Sequence, residues 1–389
     1  MAAASTQSSR ISSSGLYFPF LDGIRGFAVL SVVLFHTLYF NPDSPLQHAL
    51  LSLSQAGWLG VPIFFVLSGF LISFGIFTAS APFDYYAYFI RRTSKIIPPF
   101  YLSLLIFGAL SYYRKGGDNL PLCLFYNATT STHFLEGWNY IDSVYWSLFI
   151  EIHFYIALPV IYLFCRKFFK NADWLTCGLF FITPALIRLL TQPPTTVDPD
   201  HWYFIYNLFP RALDYFAWGI LFSIVFLRWH DSETVKKIGP AFGFIGLCLM
   251  AATYLLYAIL QYHFSIFSHP SLSISELFRY MPSIATFFLL FLCFSPEHRL
   301  TRILSFGPLV YMGIVSYEWF LFHMPPVEFI QVIVPSAHGN TWIYLLRTAG
   351  PTIGTFILAA LIYHLFSVPI LDAAKRHLKE RKSAKTGSG

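Results

Sequence analysis

The feature that most constrains this chain is a series of long apolar runs spread along its whole length. Of the 389 residues, 56% are hydrophobic and only 11% are charged, whereas soluble domains carry roughly 25% charged residues. A bilayer requires apolar runs of about 20 residues. In lipid, backbone polar groups must be satisfied within the chain, and these runs are too long and unbroken for the strands of a barrel. The sequence therefore predicts an all-α, polytopic transmembrane bundle with about ten spans.

The predicted spans lie between clusters of Pro, Gly and charged residues. They fall near 21–40, 57–77, 96–113, 143–164, 174–192, 211–227, 238–260, 280–295, 307–333 and 343–368. We predict one membrane domain over 17–370, preceded by a flexible tail over 1–16 and followed by a basic tail over 371–389. The N-terminal segment lacks the basic region and short apolar core of a cleaved signal peptide, so we expect it to be a cytoplasmic tail.

The distribution of Lys and Arg predicts the orientation of the chain. With the N-terminus inside, the cytoplasmic segments hold eighteen of the 25 Lys and Arg residues, and the outer segments hold five. Such a bias favours cytoplasmic positions for both termini. The expected location is the cytoplasmic membrane, as a multi-pass protein in contact with the lipid bilayer. The net charge of +6 follows from this topology and requires no nucleic-acid partner.

The longest predicted outer loops cover 114–142 and 193–210. They are rich in Asn, Thr, Pro, Tyr and Trp. This composition suits the binding of polar ligands such as sugars, and it equally suits ordinary anchoring at the membrane interface.

The first span carries two polar groups on one face. Arg25 and His36 are eleven residues apart, which places them within roughly 20° of each other and about 16 Å apart along a helix. Ionisable groups inside a span mark function by default. We therefore predict that Arg25 lies at the cytoplasmic boundary and that His36 is functional near mid-membrane. A snorkelling Arg and a hydrogen-bonded core His are the alternative that the spacing leaves open.

The fourth span adds the carboxylate of Glu151. It lies about 12 Å below the outer end of its span, at nearly the depth of His36. We predict a His36–Glu151 pair in which the carboxylate fixes the tautomer of the imidazole and stabilises the imidazolium. The alternative is that Glu151 forms an ion pair with Arg188 or another cation and serves only packing. His153 is two residues from Glu151 and is interpreted as a core or interhelical histidine.

The ninth span contains Glu318 near mid-depth and His323 closer to the outer face. Glu318 is a second candidate partner for His36 or a purely structural ion. The loop predicted between the second and third spans reads Arg91-Arg92-Thr93-Ser94-Lys95 and leads into Pro98-Pro99. Arg and Lys are the residues that hold phosphorylated ligands, so this basic loop is a candidate binding site. A plain positive-inside signal is the simpler interpretation.

These motifs, taken in chain order, resemble the acyltransferase-3 family of membrane O-acyltransferases, and the resemblance covers about residues 17–370. The motifs are Leu21-Asp22-Gly23-Ile24-Arg25-Gly26 with His36, the segment from Val61 to Ile72, Arg91-Arg92 with Lys95 before Pro98, Trp146-Ser147-Leu148 with Glu151, and Ser316-Tyr317 with His323. Two positions depart from the family's pattern. An acidic residue is expected before the proline of the last span, where Ser367-Val368-Pro369 stands, and no carboxylate is expected at Glu318.

The resemblance implies an enzyme that takes an acyl group, acetyl or another short one, from cytoplasmic acyl-CoA. The acceptor would be a hydroxyl of an envelope glycan, a lipid-linked sugar or a secreted small molecule. His36 and Glu151 would be catalytic, and the donor's phosphates would meet Arg25, Arg91, Arg92 and Lys95. The supporting residues would be Asp22, Trp146, Tyr317, Glu318 and His323. Acyl-CoA would be a cosubstrate, with no permanently bound cofactor and no metal.

Two other classes of protein remain compatible with buried ionisable groups. A secondary transporter of a small polar solute would also carry them, but would usually show related halves with broken helices at matching positions. A non-catalytic scaffold gives no reason for Arg25 and His36 to share a helix face. The sequence contains no serine nucleophile elbow, P-loop or HExxH motif that would support a different chemistry.

Overall fold

The structure, a computed structural model, describes most of the chain. It covers residues 17–38, 44–79, 83–115, 119–134, 140–190, 209–264, 272–334 and 341–387. The predicted tail over 1–16 and most of the predicted outer loop over 193–210 lie outside these residues.

The described residues form helices and no strands, as the apolar runs predicted. The α-helices are α1 Pro19–Thr37, α2 Pro45–Gln55, α3 Gly60–Phe77, α4 Tyr85–Lys115, α5 Leu120–Ala128, α6 Tyr145–Phe168, α7 Ala172–Leu190, α8 Leu213–Trp229, α9 Glu233–Phe264, α10 Leu272–Leu289, α11 Arg299–Leu304, α12 Gly307–Ile314, α13 Ser316–Phe322, α14 Met324–Ile333, α15 Thr341–Ile362 and α16 Val368–Gly387. Turns of 3₁₀-helix cover Ala56–Leu59, Ser131–Phe134, Phe209–Ala212 and Leu290–Phe294, and one π-turn covers Tyr363–Ser367.

Nine helical segments of the described chain are long and apolar enough to cross a membrane, judged by length and composition. They correspond to nine of the ten predicted spans. The exception is the predicted span 307–333, which is not one helix but the three consecutive helices α12, α13 and α14. The expectation of an all-α membrane bundle is confirmed, whereas the expectation of a continuous ninth span is wrong.

This ninth segment has two breaks, and local sequence explains the second. The first break is at Val315, where the backbone leaves helical geometry with ψ at 7°. The second is at His323, directly before a helix that begins with Met324-Pro325-Pro326, and proline lacks the N–H that would continue the preceding helix. Broken helices at membrane depth are tolerated where protein covers them, and Ser316 and His323 are fully buried.

The basic segment predicted as a loop is helical instead. Helix α4 begins at Tyr85 and continues through Pro98 and Pro99 without interruption. Arg92 and Lys95 therefore lie three residues apart on one helix, where they share a face. The prediction of a basic loop was wrong because the proline pair lies inside the helix rather than at its start.

The centre of the bundle is the crossing of α3 and α8. A Cβ atom on Gly69 would lie 2.3 Å from the carbonyl oxygen of Phe216, and one on Gly219 would lie 2.0 Å from that of Val66. Only glycine permits such an approach, which is the usual device of closely packed membrane helices. This crossing holds α3, the helix with the most cavity-lining residues, at the middle of the molecule.

The predicted basic tail forms a helix in its described part. Helix α16 follows the last span through the π-turn and packs against the start of α4. Arg381 donates to Asp84 at 2.7 Å and its guanidinium lies 4.5 Å from the ring centre of Tyr86. The beginning of α4 and the end of the described chain are thus fastened together on the same side of the bundle.

Candidate active site

A cavity opens among α1, α3, α4, α6 and α13, with about 860 Å³ of empty space including its mouth. It is lined by Arg25, Val61, Phe64, Phe65, Leu67, Ser68, Leu71, Ile72, Arg92, Lys95, Ile96, Ser147, Leu148, Glu151, Tyr155, Ser316, Tyr317 and Phe320. The lining combines apolar side chains with a small number of convergent polar groups, which is the composition of a ligand-binding site.

Three cations converge on this cavity. Arg25 from α1 meets Arg92 and Lys95 from α4, and the Nη2 atom of Arg25 donates to Ser316 Oγ at 3.2 Å. Arg25 is held there by a tight crossing, because a Cβ atom on Gly26 would lie 2.0 Å from the carbonyl oxygen of Leu309 on α12. Like charges brought together in this way favour an anionic ligand.

Arg91 was predicted as part of the same donor-binding group, but the structure places it elsewhere. Its side chain is exposed and does not line the cavity, whereas the neighbouring Arg92 does. Successive residues of an α-helix point about 100° apart, so the two adjacent arginines face different surroundings. Of the four predicted phosphate-binding residues, the structure brings Arg25, Arg92 and Lys95 together.

Glu151 lies in the cavity wall but does not pair with His36. Its Oε1 atom accepts hydrogen bonds from Ser68 at 2.5 Å and from the Tyr155 hydroxyl. The predicted His36–Glu151 pair is therefore wrong in this structure. The alternative of an ion pair with Arg188 is also wrong, because Arg188 donates to Asp214 at 2.8 Å.

His36 pairs with another histidine instead. The Nε2 atom of His323 lies 3.0 Å from Nδ1 of His36, and the two ring centres are 4.9 Å apart. The break between α13 and α14 explains this contact, because it places His323 at a helix end beside α1. Sequence spacing placed His323 closer to the outer face than Glu318 but gave no sign that it would meet His36.

Hydrogen bonds to backbone carbonyls assign the tautomers of this pair. A carbonyl oxygen only accepts, so His323 Nδ1–H donates to Phe320 O at 2.7 Å, which leaves Nε2 of a neutral His323 as an acceptor. His36 Nδ1 lies 2.9 Å from Val32 O and must carry the proton that it shares with His323. The lone pair of neutral His36 is therefore on Nε2, the nitrogen needed by a general base or a nucleophile.

Glu318, the second candidate partner of His36, is engaged elsewhere. Its Oε1 atom accepts a hydrogen bond from Ser367 Oγ at 2.6 Å, and both residues are buried. Ser367 lies in the π-turn of the last span, a feature that is frequent at functional sites. The prediction that Glu318 is a structural ion agrees with this contact, and the prediction that it partners His36 does not.

The structure also places the remaining predicted residues. Tyr317 lines the cavity and donates to Ile96 O at 2.8 Å, tying α13 to α4. Asp22 accepts from the Tyr17 hydroxyl at 2.9 Å, and burial together with this carboxylate raises the pKa of Tyr17. Trp146 packs in the apolar core beside the cavity. His153 contacts Thr130 and the ring of Phe209, which agrees with an interhelical histidine.

Sequence reasoning missed several residues of the cavity wall. Ser68 and Tyr155 bind Glu151, and Phe64 and Phe320 close one part of the lining. Serine and aromatic residues are common in membrane helices, so their presence in a span carries no signal of function. The one available clue for Tyr155 was its position one helical turn after Glu151.

The fold and the cavity define a multi-pass α-helical membrane protein with a basic cavity inside its helix bundle. A family model described as an acyltransferase domain matches residues 18–364, nearly the whole chain. The chain belongs to the acyltransferase-3 family, as the ordered motifs of the sequence indicated.

Three curated relatives agree with this assignment. The chain is 26% identical over 375 residues to the peptidoglycan O-acetyltransferase OatA of Listeria monocytogenes, covering 91% of this chain and 56% of the relative. It is 27% identical over 391 residues to the putative peptidoglycan O-acetyltransferase YrhL of Bacillus subtilis, covering 94% and 56%. It is 24% identical over 372 residues to the O-acetyltransferase OatA of Staphylococcus aureus, covering 91% and 57%. The chain thus spans a little over half the length of these relatives. No solved structure matches it.

Proposed function

We propose that this protein is a membrane O-acyltransferase that moves a short acyl group from cytoplasmic acyl-CoA to a hydroxyl of a cell-envelope glycan. The observation that carries the proposal is the convergence of Arg25, Arg92 and Lys95 on one cavity beside the helix that bears His36. Family membership supports acyl transfer. The names of the Listeria and Bacillus relatives support a glycan acceptor and an acetyl group.

The cavity suits the donor because its charges match the donor's phosphates. Arginine forks and lysine point charges are the usual partners of phosphate, and the three cations are held by helices that cross tightly. The narrow pantetheine arm would extend from them along α1 toward His36, and the distance of about 16 Å between Arg25 and His36 along that helix is within its reach. Glu151 would accept hydrogen bonds from the amide N–H groups of the arm.

The chemical step would centre on Nε2 of His36. This nitrogen would take the proton of the acceptor hydroxyl while the hydroxyl oxygen attacks the thioester carbonyl carbon. The new C–O bond forms, the C–S bond breaks, and the CoA thiolate receives the proton from the imidazolium. In a two-step variant, Nε2 first takes the acyl group and then passes it to the hydroxyl. His323 would hold the ring in the required tautomer.

The test is acyl transfer by purified protein in liposomes, with acetyl-CoA as donor, a muropeptide as acceptor and mass spectrometry as readout. His36→Asn keeps much of the side-chain size but removes its basicity, and we expect a loss of about 10²–10⁴-fold in rate. His153→Asn is the matched control, because both histidines are half-buried and both approach a carbonyl four residues earlier through Nδ1. Near-normal transfer by a folded His36→Asn protein would overturn the mechanism.

The same preparation separates the enzyme from the alternative of a secondary transporter. An acyltransferase yields free CoA and an acylated muropeptide in equal amounts. A transporter moves a solute between the two sides of the liposome and leaves acetyl-CoA unconsumed. If acetyl-CoA is consumed but none of the glycan acceptors tested becomes acylated, the assignment of a glycan hydroxyl as acceptor is contradicted.

A further inference from the structure

Two aromatic rings of the cavity wall contact each other, and one of them lies beside the histidine pair. Phe64 on α3 and Phe320 on α13 both line the cavity. Their ring centres are 6.3 Å apart and their planes meet at 65°, an edge-to-face contact. On the histidine side, the ring of Phe320 lies 6.0 Å from that of His323.

The histidines themselves are outside the cavity. Neither His36 nor His323 contributes to its lining, although His323 is only three residues from Phe320. A thioester held in the cavity therefore meets the two rings before it meets the imidazole. Both rings are half-buried and pack against the edge of the apolar core. Their edge-to-face contact contributes only about 0.5–1.5 kcal/mol beyond its area, so separating the two rings costs little of their mutual attraction.

Phe320 is also coupled to the catalytic pair through the backbone. Its carbonyl oxygen accepts the Nδ1–H of His323 at 2.7 Å, and His323 in turn contacts His36 at 3.0 Å. A displacement of Phe320 at the end of α13 therefore shifts the histidine that sets the tautomer of His36. Phe320 therefore links the passage of the acyl group to the position and tautomer of His36.

We propose that Phe64 and Phe320 form a partition between the donor cavity and the histidine pair, and that this partition selects short acyl groups and shields the donor thioester from water. The inference rests on the proposed function, because it assumes that the cavity holds an acyl-CoA. Phe320 is a specificity-determining residue in this view, and Phe64 is its partner.

Size selection follows from the space between the rings. Each additional methylene on the acyl group requires further separation of Phe64 and Phe320. Discrimination at one methylene in an apolar pocket is typically 10–200-fold, so we expect the wild-type protein to prefer acetyl-CoA over butyryl-CoA by about 100-fold or more. Removal of one ring should reduce this preference to below about tenfold.

The same two rings also shield the donor thioester from water. Water entering from the acceptor side can attack the thioester carbonyl, forming a C–O bond and breaking the C–S bond to give a free carboxylic acid and CoA thiol. Exclusion of water from a site suppresses such side reactions. Loss of the partition should therefore raise the hydrolysis of acetyl-CoA in the absence of acceptor, by about tenfold if one ring supplies most of the barrier.

The experiment compares Phe320→Ala with Phe242→Ala in liposomes. Phe242 on α9 is a matched control, since it is also half-buried and stacks on Phe288 with ring centres 5.7 Å apart, outside the cavity. We measure transfer rates for acetyl-, propionyl- and butyryl-CoA and the release of CoA without acceptor. Phe320→Ala should gain activity on butyryl-CoA relative to acetyl-CoA and should hydrolyse acetyl-CoA faster without acceptor. Phe242→Ala should keep the wild-type acyl preference and hydrolysis rate.

A second variant covers the case in which Phe320→Ala fails to fold. Phe320→Leu keeps an apolar side chain of similar length but removes the flat ring, and it should show the same changes to a smaller extent. A wild-type acyl profile and wild-type hydrolysis in a folded Phe320 variant would overturn the partition while leaving the proposed function intact. Wild-type protein that never consumes acyl-CoA would instead overturn the proposed function.

Discussion

At the scale of single residues, the two departures from the family's pattern turn out to touch each other. The carboxylate expected before Pro369 is absent, and the unexpected carboxylate of Glu318 reaches Ser367 at 2.6 Å. Both side chains are almost fully buried, with 3% and 2% exposed. Glu318 also lies near enough to Lys95 and Arg25 to interact electrostatically with them. Helix α13 therefore places the carboxylate of Glu318 where a carboxylate at position 367 of the last span would also lie.

Exchanging the side chains at positions 318 and 367 tests whether the carboxylate can be supplied from either helix. Glu318→Ser should lower donor affinity and thermal stability, because it removes a carboxylate that interacts with Lys95 and Arg25 and leaves Ser367 without this hydrogen bond, which costs about 1–3 kcal/mol for a buried group. Adding Ser367→Glu should return the carboxylate to the same space and restore much of both. The measurements are the KM for acetyl-CoA and the midpoint of thermal unfolding in detergent. A double mutant as impaired as the sum of its single mutants would show that the helix carrying the carboxylate matters.

The sequence singled out charged residues that line the cavity but did not predict their partners. Arg25 and Glu151 were selected because ionisable groups are rare in spans, and Lys95 was selected because it follows two arginines in a basic segment. Their contacts join residues far apart in the chain, such as Ser68 with Glu151, 83 positions apart. Helix rotation and crossing set such contacts, and a single sequence does not contain that information.

At the scale of elements, helix α4 determines which residues of the basic motif face the cavity. Placed in a loop, its arginines would be equivalent. Placed on a helix, Arg92 faces the cavity with Lys95, and its guanidinium lies 6.0 Å from the ring centre of Tyr155. Arg91 faces outward and is exposed. The helix therefore divides a motif that reads as one unit in the sequence into a cavity-facing part and an outward part.

Adjacent arginines provide a matched pair of mutations. Arg92→Gln should raise the KM for acetyl-CoA by about 10–100-fold, because a hydrogen bond to a charged group is worth about 1.5–3 kcal/mol. Arg91→Gln should change it by less than about twofold, since exposed charges contribute little. Steady-state kinetics with saturating acceptor distinguishes the two. Equal effects of both substitutions would show that the segment acts as a diffuse basic surface rather than through the cavity.

The element that the sequence could not predict is the broken segment 307–333. Its apolar character and length are those of a single span, and its predicted bounds agree with the observed start at Gly307 and end at Ile333. The break at His323 is marked in the sequence by Pro325-Pro326, whereas the break at Val315 carries no such mark and lies beside a tight contact with α1, where a Cβ atom on Gly313 would lie 1.8 Å from the carbonyl oxygen of Asp22. The break at His323 places this residue beside His36, so the missed local structure and the missed contact between the two histidines have one cause.

At the scale of the whole molecule, the bundle has a protected centre and a lipid-exposed periphery. The span Pro45–Phe77 is 78% buried within the protein, whereas the last span, Leu346–Ala384, is 17% buried. The candidate site residues lie on the central helices, and the outer helices present apolar side chains. Because lipid supplies no hydrogen bonds, this arrangement places Arg25 and Glu151 beside hydrogen-bonding side chains of the protein.

The number of crossings decides the orientation of the ends, and reporters can count them. The described residues contain nine continuous candidate spans; if the broken segment 307–333 also crosses, there are ten crossings, an even number that would place both ends on one side. The eighteen-to-five bias of Lys and Arg predicts that this side is the cytoplasm.

A reporter fused after Lys385 should therefore read cytoplasmic, and one inserted near Asp118 should read extracytoplasmic. A further reporter between α14 and α15, near residue 337, should also read extracytoplasmic if the broken segment crosses. If that insertion reads cytoplasmic while the fusion after Lys385 reads extracytoplasmic, the segment folds back without crossing, and the contact of Arg381 with Asp84 would be contradicted as well.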